Sequence, residues 1–221
     1  VAVLITDLLT AGNPLPSPQN LYTAGASAFT CTPTGGSGSG TYTYQWQYRP
    51  DGASPWGNLN NGDRAGRVTI TNNAANSQLA IAGLVDGIDD GEYRCRVDDT
   101  SPDPLADPVS PGVLNVYDHL SIDVDPVNYV GNEGEQVEFS VVISGGIPTI
   151  AYRWQYNGGS GFGDLANGPR GASVISGADT ATLQITNSTT GDNAGSYRCI
   201  VTDAGSDASS ANLLTDRKSV V

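Results

Sequence analysis

A nine-residue pattern that occurs twice restricts the fold of this chain more than any other stretch. Both copies, at residues 89–97 and 193–201, contain Asp or Asn, then Gly, Tyr, Cys and Val at every second position. Because successive side chains of a β-strand point to opposite faces, the tyrosine, cysteine and valine would share one face. The arginines between them, Arg94, Arg96 and Arg198, would share the other. The pattern therefore predicts two strands that are each buried on one side.

The surroundings of the pattern are duplicated as well. Residues 44–48 (Tyr-Gln-Trp-Gln-Tyr) correspond to residues 152–156 (Tyr-Arg-Trp-Gln-Tyr), and the loop 56–64 corresponds to the loop 162–170. The copies lie about a hundred residues apart, which is the size of one domain. A chain of 221 residues is long enough for two such domains, each with its own core. We therefore expect a tandem duplication of one unit.

Composition favours strands and an acidic surface. The 28 glycines and 13 prolines punctuate the chain, and no segment keeps an apolar face at helical spacing, so we expect an all-β protein. The formal net charge is −13, from 23 acidic and 10 basic residues. Such a surface repels nucleic acid and anionic lipid, and no apolar run is long enough to span a bilayer. We expect neither nucleic acid binding nor membrane insertion.

Cysteine and tryptophan precede the first pattern in the order Cys31, Trp46, Tyr93, Cys95. This order resembles the immunoglobulin superfamily, in which a tryptophan packs on an inter-sheet disulfide below a tyrosine corner. The run Ser-Gly-Ala-Asp-Thr-Ala-Thr-Leu-Gln-Ile at residues 176–185 is similar to tandem immunoglobulin-like repeats (I-set or bacterial Ig-like) of bacterial secreted or cell-surface proteins. The resemblance implies an all-β fold of two tandem immunoglobulin-like Greek-key β-sandwiches arranged end to end.

The expected domain boundaries follow from the two copies. An N-terminal apolar strand occupies residues 1–9, domain 1 occupies residues 10–117 and domain 2 occupies residues 118–221. We interpret the Pro-rich residues 13–20 as an extended connector. The chain begins at Val1 with neither a methionine nor a secretory leader, so we expect a mature form or an excised fragment.

The resemblance also implies a disulfide between Cys31 and Cys95, and therefore an oxidising compartment, secreted or at the cell surface. Closing a loop of that length stabilises a fold by about 4 kcal/mol in the chain-entropy model. In domain 2, Val141 aligns with Cys31, which leaves Cys199 as a small buried residue instead of a reactive thiol. The residues expected in the two structural cores are Trp46, Tyr93, Trp154, Tyr197 and Cys199.

No arrangement of residues in the sequence indicates catalysis. The single histidine, His119, has no nucleophile in a recognised motif around it, and the ligand clusters of a zinc site are missing. We expect neither enzymatic activity nor a cofactor. Calcium is a weak candidate ligand of a carboxylate group in domain 1, but a solvated acidic loop is favoured because the spacing fits no known calcium loop. The aspartates concerned are Asp98, Asp99, Asp103 and Asp107.

The duplicated loops end in an arginine, Arg64 or Arg170. Immunoglobulin domains commonly pair an arginine at this position with the aspartate that opens the nine-residue pattern, here Asp89. The second copy opens with asparagine, so its pair is in doubt and Asp192 is the substitute partner. We interpret both arginines as structural.

The same loops carry the aromatic residues Trp56 and Phe162. Two interpretations are open for them: exposed platforms for a sugar ring, or, more commonly, plugs at the open end of a core.

The first residues carry an unusual signal. Residues 2–7 (Ala-Val-Leu-Ile-Thr-Asp) closely match residues 211–216 (Ala-Asn-Leu-Leu-Thr-Asp), which we expect to be the last strand of domain 2. They are either a strand of domain 1, or a stub of a longer array, or a strand that docks on a neighbouring subunit. In the last case the contact residues are Val1, Val3, Leu4 and Ile5, and the head-to-tail contact grows a filament because it does not close.

These observations favour a non-enzymatic extracellular structural protein, a rigid rod or a surface-filament or adhesin subunit. Its partners would be copies of itself or neighbouring immunoglobulin-like repeats. Two alternatives remain open at this point: a binding module that displays loops to a surface glycan or a protein receptor, and an accessory segment of a larger secreted enzyme.

Overall fold

The computed structural model describes residues 8–36, 42–99, 106–193, 195–205 and 212–213. The chain divides into two compact units, Val1–Tyr117 and Asp118–Val221. Nearly all of the regular structure is β-strand, which confirms the all-β prediction, and each unit has a hydrophobic core of its own.

The described part of unit 1 contains eight strands in two sheets. In chain order they are β1 (Gln19–Tyr22), β2 (Ala26–Cys31), β3 (Thr43–Arg49), β4 (Gly57–Asn58), β5 (Val68–Asn72), β6 (Ser77–Ala82), β7 (Gly91–Asp98) and β8 (Gly112–Tyr117). One sheet has the order β1-β8-β7-β3-β4 and the other has the order β2-β6-β5. Neighbouring strands are antiparallel, except that β1 runs parallel to β8.

The first copy of the nine-residue pattern covers β7 up to Val97, and its alternation matches the burial of its side chains. Tyr93, Cys95 and Val97 are fully buried, whereas the arginines between them are only partly buried. The register of β3 and β7 places Trp46 opposite Cys95. Phe29, from the other sheet, stacks on Tyr93 with 5.2 Å between the ring centroids. Inward-facing side chains of both sheets thus form the core.

The interpretation of residues 13–20 as a connector was wrong, because this segment belongs to the sandwich. Leu15 bridges to Thr30 of β2, and β1 begins at the end of the segment and pairs with β8. Ser17 Oγ accepts a hydrogen bond from the backbone N–H of Val113 at 2.8 Å. Prolines are tolerated in an edge strand, where a missing N–H breaks no ladder. The extended chain here crosses from one sheet to the other.

The described part of unit 2 contains ten strands. In chain order they are β9 (Ser121–Val124), β10 (Val137–Ser140), β11 (Val142–Ser144), β12 (Ala151–Asn157), β13 (Gly163–Asp164), β14 (Gly168–Arg170), β15 (Ser173–Ser176), β16 (Thr182–Thr186), β17 (Ser196–Thr202) and β18 (Asn212–Leu213). Their sheets have the orders β10-β16-β15-β14, β13-β12-β17-β18 and β11-β9. The pair β12 and β17 repeats the register of β3 and β7, with Trp154 opposite Cys199.

Two single turns, α1 (Asp63–Gly66) and α2 (Thr190–Asn193), are the helical elements among the described residues. The backbone of α1 is left-handed at Arg64 (φ 56°) and Ala65 (φ 58°). This conformation costs a non-glycine residue roughly 1–2 kcal/mol, so other contacts must hold it. The side chain of Arg64 makes those contacts at the corner described below.

Several predictions of the sequence concern residues outside the described part of the chain. They are the apolar strand at residues 1–7, with Val1, Val3, Leu4 and Ile5, and the calcium candidate Asp103. No helix among the described residues is long and apolar enough to cross a membrane.

Candidate functional site

A buried ion-pair cluster supports the corner of unit 1. Asp89 is fully buried, and its carboxylate accepts hydrogen bonds from Arg64, from Arg67 at 2.5 Å and from the backbone N–H of Val85 at 2.8 Å. Tyr93 Oη donates to the carbonyl oxygen of Asp89 at 2.6 Å. Burial opposes the charged carboxylate, but these hydrogen bonds outweigh it and hold the pKa of Asp89 below its usual value. The cluster is structural, as the sequence analysis expects.

The corner of unit 2 uses the substitute partner. Arg170 Nη1 donates to Asp192 Oδ1 at 2.8 Å, and Tyr197 Oη donates to the Asp192 carbonyl oxygen at 3.2 Å. Asp192 lies in α2, one residue further from its tyrosine than Asp89 is in unit 1. Burial raises the pKa of Tyr197 to about 12, so its hydroxyl stays protonated and donates at neutral pH.

Cys31 and Cys95 are fully buried thiols in the structure, and their side chains share a hydrogen bond. The bond from Cys95 lowers the pKa of Cys31, and the same bond raises the pKa of Cys95. Trp46, opposite Cys95 in the strand register, donates from Nε1 to Ser77 Oγ at 2.7 Å. The two cysteines are therefore adjacent, and their oxidation to a disulfide stays a prediction.

In unit 2, Val141 takes the position of Cys31. Its N–H donates to the Ala181 carbonyl oxygen at 3.0 Å, as the register of β10 with β16 requires. Burial raises the pKa of the Cys199 thiol to about 11, so it stays protonated and unreactive near neutral pH. The expected core residues Trp46, Tyr93, Trp154, Tyr197 and Cys199 are all buried in the structure.

The calcium candidates do not form a cation site among the described residues. Asp107 binds Arg94 at 3.4 Å and Arg96 at 2.7 Å, so its carboxylate serves an ion-pair network. Asp99 is buried and Asp98 lies in β7, half-buried. Within the described ranges, no three His, Cys, Asp or Glu side chains lie close enough together to hold a metal ion.

On the outward face of β3, β4 and β7, arginine side chains stack on a tryptophan ring. The Trp56 ring lies between two guanidinium groups, with Cζ of Arg49 4.4 Å and Cζ of Arg94 4.5 Å from the ring centroid. Arg94 Nε also donates to Gln47 Oε1 at 2.8 Å. We call Arg49, Trp56, Arg94 and Arg96 the arginine face of unit 1.

Unit 2 repeats this arrangement on β12, β13 and β17. Cζ of Arg198 lies 4.0 Å from the centroid of the Phe162 ring, and its Nε donates to Gln155 Oε1 at 2.6 Å. Gln155 Nε2 donates to Asp164 Oδ1 at 2.6 Å, and Arg153 pairs with the same carboxylate at 3.3 Å. We call Arg153, Phe162 and Arg198 the arginine face of unit 2.

Trp56 and Phe162 therefore fit neither interpretation from the sequence. Both rings are half-buried, and neither belongs to a hydrophobic core, so they do not plug the end of a sandwich. Each ring lies under a guanidinium group instead of offering an open platform. These stacks were not predicted from the sequence. The alternation of Gln and Arg at outward strand positions indicated a shared polar face, but not the stacking on an aromatic ring.

The faces contain five of the eight arginines among the described residues of an acidic chain. The described residues include eight arginines, of which three hold the two corners. The other five lie on the two arginine faces, at Arg49, Arg94, Arg96, Arg153 and Arg198. Each guanidinium is ordered by a carboxylate, an amide or an aromatic ring and still leaves N–H donors for a partner.

Solved structures share this fold at low sequence identity. A three-domain segment of titin has a TM-score of 0.64 at 16% identity, covering 97% of this chain and 66% of the titin chain. Two domains of Rst have the same TM-score and identity, covering 96% of this chain and 99% of theirs. Extracellular domains 3–5 of Drosophila OTK have a TM-score of 0.57 at 18% identity, covering 97% and 62%. No curated protein sequence matches the chain.

The family model of the immunoglobulin domain matches residues 121–203, which lie in unit 2. This match includes Trp154, Tyr197 and Cys199, the residues that carry the resemblance in that unit. The similar structures extend the likeness to both units. The chain therefore has the fold of tandem immunoglobulin domains, and its residues 121–203 match the immunoglobulin domain family.

Proposed function

We propose that this chain is a non-enzymatic structural and adhesion module of a secreted or cell-surface protein, of the bacterial Ig-like type. Its partners are copies of itself or neighbouring immunoglobulin-like repeats. Proteins of similar structure support a binding role: one is the Down syndrome cell adhesion molecule, and another comes from the complex of Dpr11 with DIP-gamma. No arrangement of the described residues supports catalysis.

The observation that carries the proposal is the pair of arginine faces. Arginine and tryptophan are the residues most enriched where protein interfaces gain their binding energy. The stacked guanidinium groups are already ordered. The arginine side chains therefore lose little conformational entropy when a partner binds them. The chain as a whole is strongly acidic, at a net charge of −13, so a basic face on one copy complements the acidic surface of another.

Sedimentation of the purified chain at low and high salt tests this role. We expect self-association that weakens as salt rises, because exposed charges are screened. Replacing both Arg94→Gln and Arg96→Gln should weaken association about tenfold or more. Glu138→Gln is the control, since it removes a charge from β10 of unit 2, in a sheet that carries neither arginine face. Equal association by both variants, with unchanged circular dichroism, would remove the arginine face from the interface.

We further propose that the apolar residues 1–7 dock on a neighbouring copy and extend the module into a filament. The similarity of residues 2–7 to residues 211–216 supports this, because one strand can then substitute for another at a sheet edge. Deleting residues 1–7 and comparing the two proteins by negative-stain microscopy tests it. Fibres from the full chain and none from the truncated chain are expected. Equal assembly by both would make the segment a strand of unit 1 only.

A further inference from the structure

A polar cleft in unit 2 borders the arginine face of that unit and shares only Arg153 with it. It encloses about 390 Å³ beside the edge of β12, where β13 pairs with only two residues of that strand. This volume lies in the range of small-molecule sites. Its lining consists of one tyrosine, one guanidinium, one amide, two carboxylates and three apolar side chains. The polar lining residues are Tyr152, Arg153, Asp164, Asn167 and Asp179.

The polar groups of the cleft are fixed and yet retain hydrogen-bonding capacity. Asn167 Oδ1 accepts from the N–H of Ala178 at 2.9 Å, and its Nδ2 donates to Asp179 Oδ1 at 3.0 Å. The second oxygen of Asp179 has no partner among the described residues. Arg153 meets Asp164 through Nη1 at 3.3 Å, and its side chain is 64% exposed. A fixed acceptor and a fork of donors are thus available to one ligand.

A second, smaller cavity adjoins the cleft. It encloses about 170 Å³ and is lined by Ala151, Tyr152, Arg153, Ile200 and Thr202. Tyr152 and Arg153 line both cavities, so the two lie side by side with the Arg153 side chain between them. The trough they form suits a ligand longer than a single ring.

Unit 1 fills the corresponding place with its own side chain. Gln45 stands where unit 2 has Arg153, and its Nε2 donates to the carbonyl oxygens of Trp46 at 2.8 Å and Leu59 at 3.1 Å. This side chain lies along the strand edge, whereas that of Arg153 extends toward solvent. The two copies therefore differ at the position that joins the cavities.

We propose that the trough in unit 2 binds a neutral oligosaccharide, with one ring in the larger cavity and the next against Ile200 and Thr202. Sugar hydroxyls both donate and accept, so they can bind Asp179 and Arg153 at once. The C–H face of a ring packs on Tyr152 and the apolar lining. Two carboxylates against one guanidinium disfavour an anionic ligand. The site goes beyond the adhesion role and does not require self-association.

Titration of the isotope-labelled full chain with maltose, cellobiose and lactose, followed by chemical-shift changes, tests the proposal. We expect saturable shifts that are confined to the trough for at least one disaccharide, with an affinity in the millimolar range because the site is open to solvent. Asp179→Asn should weaken binding about tenfold, because a charged acceptor becomes neutral. Arg153→Gln, which installs the residue of unit 1, should do the same.

Glu138→Gln is the matched control, because its carboxylate also accepts from a side-chain amide, at 3.0 Å from Gln184, but lies on another sheet. Its affinity should equal that of the unaltered chain. Absence of saturable shifts with all three sugars, or equal affinity in Asp179→Asn, overturns the proposal. So does tighter binding of a cationic probe, lysine amide, in the trough. Sedimentation of Asp179→Asn, which leaves both arginine faces intact, separates this result from the adhesion role: its association should equal that of the unaltered chain.

Discussion

At the scale of single residues, the two corners differ in the number of arginines that pair with the buried aspartate. Asp89 is fully buried between two arginines, whereas Asp192 pairs with Arg170, whose side chain is 31% exposed. Asp89→Asn should therefore destabilise unit 1 by about 3–5 kcal/mol, the range for breaking a buried ion pair. Asp192→Asn should destabilise unit 2 by about 1–2 kcal/mol. Urea unfolding of both variants gives the comparison, and equal losses would contradict it.

The lowered pKa of Asp89 adds a pH dependence with a defined sign. The charged form is favoured in the folded state, so its contribution is complete above the unfolded pKa of about 3.9 and is lost as pH falls below that value. Unfolding of unit 1 at a series of pH values should show the loss in the unaltered chain. Asp89→Asn should reduce this acid sensitivity. An unchanged pH profile in the variant would assign the sensitivity to other carboxylates.

Some of these contacts between single residues were predictable from the sequence. The pairing of Arg64 with Asp89 was expected from the resemblance to immunoglobulin domains, and the structure contains it. The choice of Asp192 was only one of the open alternatives, because α2 shifts the aspartate by one position relative to Tyr197. The stacking of Arg94 on Trp56 depends on the register of three strands, which a linear pattern does not contain.

At the scale of elements, the segment before β1 contains two leucines that are neighbours in the chain but differ in burial. Leu9 is 5% exposed and belongs to the core of unit 1, whereas Leu8 is 70% exposed. Leu9→Ala should cost about 2–3 kcal/mol in the free energy of unfolding, because it removes buried methyl groups. Leu8→Ala should cost almost nothing. If both variants unfold like the unaltered chain, the side chain of Leu9 contributes nothing to the stability of the unit 1 core.

Strands with strict alternation, such as β7 and β17, were predictable because burial of one face leaves a period of two in the sequence. The segment 13–20 was not, because its three prolines are also typical of a linker. Its pairing depends on β2 and β8, one of which is about a hundred residues away, and on the side chain of Ser17.

At the scale of the whole molecule, the cysteines make the two units unequal. Cys31 and Cys95 are adjacent in unit 1, whereas Cys199 of unit 2 has Val141 in place of a partner. If the pair is oxidised as predicted, reduction should lower the stability of unit 1 by about 4 kcal/mol and leave unit 2 unchanged.

Denaturant titrations with and without reductant, combined with non-reducing peptide maps, measure this effect. Cys199 should remain unmodified by iodoacetamide in the folded chain at neutral pH, because burial keeps its pKa about 11. A peptide that links Cys199 to either other cysteine, or a reductant effect on unit 2, would show that the pairing is wrong.

The parallel pairing of β1 with β8 has a mechanical consequence. β1 is the first strand of unit 1 along the chain and β8 is the last. Tension applied to the two chain ends of the unit therefore pulls these paired strands past each other along their length. The hydrogen bonds between residues 19–22 and 114–117 then carry the load together in shear, instead of opening one after another. In unit 2 the first described strand, β9, pairs with β11, and the two described residues of β18 pair with β17. The two copies of one sequence unit should therefore extend at different forces, with unit 1 the more resistant.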